Sequence, residues 1–128
     1  MFNVWCNAMN KQMIDSAMKD IAAEAKNIYG DKLKEVILFG SCARGDFQDD
    51  SDVDIMILID VPLEEVNDEL RKLNPAIHDI DKKYDYELLF APIVQSYSVF
   101  NHWFDVTPFY KNVRADGVRY SNDGVCAF

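Results

Sequence analysis

No apolar run in this sequence is long enough to cross a bilayer: the longest, "VILF" and "IMILI", are the size of β-strands. Paired cysteines are missing as well. Cys6, Cys42 and Cys126 stand far apart with no Cys-x-x-Cys spacing, which favours reduced thiols over a disulfide framework or a zinc site. The start of the chain, "MFNVWCNAMNKQM", is too short and too polar for a secretory apolar segment. These absences point to a soluble, cytoplasmic protein. Positive charge is scarce, 13 Lys and Arg against 22 Asp and Glu, for a net charge of −9. That balance argues against unaided binding to long nucleic acid, whose phosphates need Lys and Arg to neutralise them. A small triphosphate that brings its own divalent cations is a different case. The acidity also suits a basic protein partner. There is no internal repeat and no low-complexity segment. Its 128 residues fit one domain, residues 1–128, with a real core.

The order of elements places the chain among α/β (α+β) proteins. From Asn10 to Tyr29, Met13, Ala17, Ile21, Ala25 and Ile28 fall at helical spacing, and Gly30 ends the helix. "EVILFG" (35–40) reads as a buried strand, "SCARGDFQDDS" as a loop, and "DVDIMILID" (52–60) as a second strand. Pro62 opens a helix with acids in its first turn. "NPAIHDIDKKY" either continues that helix past a break at Pro75 or forms a second one. "DYELLFAPI" (85–93) reads as a third strand, and the segment from Ser96 to Val118 as largely helical with an interruption at Pro108.

The chemistry concentrates between residues 38 and 58. Asp52 and Asp54 are two apart on a strand, so their carboxylates leave the same face, roughly 6–7 Å apart along the chain. Two hard anions on one face suit Mg²⁺ when phosphate oxygens and water complete its octahedron. Met56 and Leu58 continue the same face, so the polar part is confined to the strand's entry; a plain solvent-facing strand would stay polar. Gly40, directly after a buried strand, permits a backbone conformation closed to other residues. The amides that follow it, with the Ser41 hydroxyl, make an anion cradle. Arg44 adds a charged fork for a phosphate oxygen, and Gly45 keeps the loop clear of it. For the turn at Gly40 to meet Asp52 and Asp54, the two strands must be antiparallel neighbours. A third carboxylate is expected from the third strand, where Asp85 and Glu87 are the candidates. Glu87, deeper in that expected strand, is preferred as metal ligand or base.

"GSCARGDFQDDSDVDIMI" resembles the Gly-Ser … Arg-Gly … Ser-Asp-x-Asp signature of the nucleotidyltransferase superfamily that includes DNA polymerase β. The short chain is similar to its minimal branch, the MntA-like antitoxins, and "FNHWFDVTPFYKNVRADGV" resembles the C-terminal part of bacterial members. The resemblance implies a small mixed β-sheet flanked by helices. It implies Mg²⁺-dependent transfer of a nucleoside monophosphate, usually AMP from ATP, to a hydroxyl with release of pyrophosphate, using two ions. In that reading Gly40 and Ser41 hold the triphosphate and Asp52 and Asp54 the metals, while the family's third carboxylate, usually Asp, is matched here by Glu87. Many minimal members pair with a HEPN-domain toxin, which they neutralise by adding AMP to a tyrosine or by forming a complex. A catalytically weak binding module acting as the antitoxin half of such a complex is the alternative function.

The remaining reactive residues carry plainer readings. Cys42 has no histidine near it in sequence and reads as a small loop side chain. His78 and His102 lack partners at ligand spacing. Val99, Phe100, Trp103, Phe104 and Val106, with Phe109 and Tyr110 beyond, read most simply as core. An exposed patch for a partner or a second copy of the chain is the alternative for part of that stripe.

Overall fold

The computed structural model describes residues 2–40, 43, 52–121 and 124–126, with only the backbone of 2–10 and 124–126. Helix α1 runs from Phe2 to Tyr29, beginning before the periodic segment that marks it in the sequence. Ala17, Ile21 and Ala25 are fully buried on it. Gly30 adopts φ +59 and starts the short 3₁₀ turn Gly30–Lys32, the left-handed ending that glycine permits. Strands β1 (Leu33–Phe39) and β2 (Val53–Ile59) follow. They pair antiparallel, with Val36 opposite Ile57 and Phe39 opposite Asp54, as the acid pair and the glycine turn require.

After a 3₁₀ turn at Leu63–Glu65, helix α2 spans Val66–Lys83 and passes through Pro75 without a break. Proline there removes one N–H donor; Pro75 and Arg71, whose carbonyl loses it, are both exposed, where water can substitute. Leu73, Ile77 and Ile80 hold the helix to the core, and Lys82 and Lys83 sit favourably in its last turn. The third strand differs from the expectation: β3 covers Phe90–Ser96 rather than 85–93. Short helices α3 (Tyr97–Trp103) and α4 (Pro108–Asp116) come next, with Pro108 opening α4. Strands β4 (Val118–Ser121) and β5 (Gly124–Cys126) close the described chain.

The result is an α+β fold around one mixed sheet of order β3-β2-β1-β4-β5. Among the described residues only β2 and β3 run parallel, and β3 forms an edge. Since Leu89 O accepts from Val53 N at 2.8 Å, alternation turns the backbone groups of Pro92 outward. The imide therefore costs no ladder bond, and it blunts the open edge. Val53, Ile55, Ile57 and Ile59 pack with α1 and α2 on one face. Ile37, Phe39, Met56 and Leu58 pack with Phe100 and Val113 on the other. The period-2 alternation of β2 thus feeds two cores.

One polar anchor fixes the helices to the sheet, and a second joins α1 to α2. Glu35, 8% exposed, accepts from Arg114 Nη1 at 3.2 and 3.4 Å and lies 3.5 Å from Arg119. The Arg114 guanidinium also sits 5.0 Å over the Phe100 ring, so one residue ties α4 to β1 and to α3. On the opposite face the Tyr29 hydroxyl donates to the Glu69 carbonyl at 2.6 Å. Burial, reinforced by the Glu69 carboxylate, pushes the Tyr29 phenol up to about 12. A phenol whose folded pKa is raised stays protonated in the native state while the unfolded chain loses its proton. Its contribution is therefore complete below about pH 10 and lost as pH climbs towards about 12. Urea unfolding of Tyr29→Phe between pH 8 and 12 should show a shallower alkaline decline than wild type. Identical slopes would remove Tyr29 as a source of that decline.

Candidate active site

The site begins where β1 stops. Gly40 has φ +77, a left-handed conformation that a side chain disfavours. A Cβ built there would stand 2.5 Å from Asp54 Oδ2, so the turn backbone and the carboxylate share one space. Only glycine satisfies both conditions. Asp54 is the cross-strand partner of Phe39 on β1 and the parallel partner of Ala91 on β3. It is half-buried on the face that Met56 and Leu58 continue into the core. Asp52 stands exposed one residue before β2, on the same side by alternation. Strand geometry therefore brings Gly40, Asp52 and Asp54 to one end of the sheet. Ser41, Arg44 and Gly45 lie outside the described residues.

Beside the acids the wall is aromatic. Phe39 is buried and meets Phe109 edge-on, ring centroids 5.6 Å apart, and Phe109 stays 43% exposed at the start of α4. Trp103, Phe104 and Val106 are exposed too, and of the stripe read as core only Phe100 is fully buried. The helices are short and the turn between them lies outside the packed face, so the spacing that marks an apolar stripe does not bury it.

The residues expected to supply a third carboxylate from the third strand lie ahead of that strand instead. Helix α2 ends through Asp85 and Tyr86, both at φ +59, with Tyr86 N donating to Asp81 O at 2.9 Å and Asp85 N to Lys82 O at 3.0 Å. This two-residue left-handed ending uses up the segment read as the beginning of a strand. Glu87 consequently lies exposed in a bend ahead of β3, and Asp85 lies in the turn itself. Asp81 holds the junction, accepting from Phe90 N at 3.3 Å. Burial raises the Asp81 carboxyl, while that bond and His78 oppose the shift. Among the described residues no group of three or more His, Cys, Asp and Glu side chains is placed to hold a metal ion. The Asp52–Asp54 pair alone fits a Mg²⁺ ion that arrives with phosphate oxygens and water. Position 91, beside Asp54, is what the sequence could not reveal, because parallel register is fixed only by the folded sheet.

The comparison with protein families bears on this geometry directly. The family model described as "Nucleotidyltransferase domain" matches residues 18–115, a span that includes α1 from Met18, the acid pair and most of α4. This chain belongs to the nucleotidyltransferase domain family. It is a nucleotidyltransferase. Two relatives from Methanocaldococcus jannaschii support the assignment. "Putative protein adenylyltransferase MJ0604" is 34% identical over 103 residues, covering 80% of this chain and 93% of the relative. "Putative protein adenylyltransferase MJ0141" is 34% identical over 91 residues, covering 69% and 85%. In fold, the nucleotidyltransferase is similar to the crystal structure of a "putative nucleotidyltransferase" from Sulfolobus solfataricus. The TM-score is 0.60 at 24% identity, covering 95% of each chain.

Proposed function

We propose that this nucleotidyltransferase moves AMP from Mg·ATP to a hydroxyl on a protein. The carrying observation is the approach of Gly40 to the Asp54 carboxylate, which sets the glycine turn against an acid pair at one end of the sheet. In this reading Gly40 and Ser41 cradle the triphosphate, with Arg44 and Gly45 bordering it, and Asp52 and Asp54 hold the ion. A Mg²⁺ ion held there would supply charge neutralisation for the phosphates and stabilisation of the leaving group. The acceptor oxygen attacks the α-phosphorus, the bond from that phosphorus to the bridging oxygen of the β-phosphate breaks, and pyrophosphate leaves. The hydroxyl proton passes to solvent or to a base. The names of both archaeal relatives support AMP as the group moved and a protein as its acceptor. A HEPN-domain toxin, the partner implied by the resemblance to MntA-like antitoxins, is the acceptor to try first.

The test uses ATP labelled at either the α- or the γ-phosphate, Mg²⁺ and the product of any HEPN-type gene adjacent to this one. Label from the α-position should appear on the acceptor, and none from the γ-position. Transfer of γ-label, or α-transfer that survives Asp52→Asn with Asp54→Asn, would refute the assignment. Stable complex formation without transfer would favour the antitoxin-by-binding reading.

A further inference from the structure

We infer that Ala91 occupies the position from which a third carboxylate would complete the site, and that the protein therefore holds one divalent ion instead of two. The inference rests on the reading of Asp52 and Asp54 as ion ligands. β3 is the parallel neighbour of β2, and Asp54 lies level with Ala91. Register partners in a parallel pair send their side chains to the same face. The hydrogen bond from Val53 N to Leu89 O at 2.8 Å holds this register at the start of the strand. On Asp54's face β3 then offers Leu89, Ala91, Ile93 and Gln95: three apolar side chains and one amide, with no acid. Leu89 and Ile93 are 50% and 39% exposed, so this part of the face is open beside Asp54.

Glu87 lies exposed in a bend ahead of β3, outside the ladder that sets Ala91 level with Asp54. Two ions about 3.5–4 Å apart need ligands on both sides of the shared phosphate oxygens. One Mg²⁺ needs only one or two carboxylates, with phosphate and water supplying the rest. The described donor set matches the second requirement. In-line displacement also places the acceptor opposite the departing pyrophosphate. β3 itself carries no carboxylate that could receive the acceptor's proton.

The experiment counts ions. The full chain is titrated with Mn²⁺ in the presence of an ATP analogue bearing a methylene between its α- and β-phosphorus atoms. Bound Mn²⁺ and Mn–Mn coupling are read by electron paramagnetic resonance. Wild type should bind one Mn²⁺ per nucleotide complex without coupling, and Ala91→Asp should bind two with coupling. Ala91→Glu serves as the second variant if Ala91→Asp does not fold, which a thermal melt shows. Two coupled ions in wild type would overturn the inference, and a fall to one in Glu87→Gln would name Glu87 as the donor. One ion in a folded Ala91→Asp or Ala91→Glu would overturn the assignment of position 91. If the analogue fails to bind, or if Asp54→Asn holds the ion equally well, the underlying reading of the acid pair fails together with the inference.

Discussion

Asp54→Asn is expected to cut transfer below about 1% of the wild-type rate while the fold stands. The replacement keeps the shape of the side chain and removes its charge, so the contacts that seat β2 are untouched. Met56 and Leu58 still bury against Phe100 on one face, and Ile55 and Ile57 against α1 and α2 on the other. Losing an outer partner of a metal ligand typically costs about 10–100-fold in affinity or activity. Losing a ligand itself should exceed the top of that range. Stability should change little, because the apolar packing of β2 on both faces is kept. Initial rates with α-labelled ATP, alongside a thermal melt, separate the two effects. A folded Asp54→Asn protein working within about tenfold of wild type would exclude Asp54 from the ion site.

The acid pair was legible in the sequence because a strand's alternation is local. Two acids enter a face that turns apolar at Met56, and that asymmetry needs no knowledge of neighbours. The antiparallel pairing of β1 with β2 followed from the same stretch, since the turn glycine and the acids must meet. β3 was misplaced for an equally physical reason. "KKYDYELL" contains no glycine or proline to punctuate it, yet α2 ends there through left-handed Asp85 and Tyr86. Aspartate tolerates that conformation, but a tyrosine adopting it leaves no sign in the sequence. Register was out of reach as well: Ala91 gains its meaning only from lying level with Asp54 across a parallel pair. The stripe from Val99 to Val106 divides between its two readings, Phe100 as core and Trp103, Phe104 and Val106 as an exposed patch. Its spacing is that of a buried helix face, but α3 ends at Trp103 and leaves Phe104 and Val106 in the turn. β4 escaped notice because four residues, Val118–Ser121, are too few for alternation to register.

Gly40→Ala should damage both stability and transfer, and Gly30→Ala separates the reasons. Both glycines are left-handed, φ +77 and φ +59, so alanine at either site carries a conformational cost of about 1–2 kcal/mol. At Gly30 no heavy atom lies within 4 Å of the new Cβ, so the conformational cost is the whole effect and transfer should match wild type. At Gly40 the new methyl would stand 2.5 Å from Asp54 Oδ2, a separation that cannot persist. The carboxylate is the end of a short side chain, so it rotates away while the β1–β2 ladder stays in register. Asp54 then leaves the place where turn and acid pair meet, and a misplacement of about 1 Å is enough to cost 100-fold in a positioned reaction. Urea unfolding should show Gly40→Ala losing at least as much stability as Gly30→Ala. Nucleotide affinity and initial rates should fall in Gly40→Ala alone. Equal activity in the two variants would mean that the close approach of the turn to Asp54 is a packing detail, and would withdraw the observation on which the functional assignment rests.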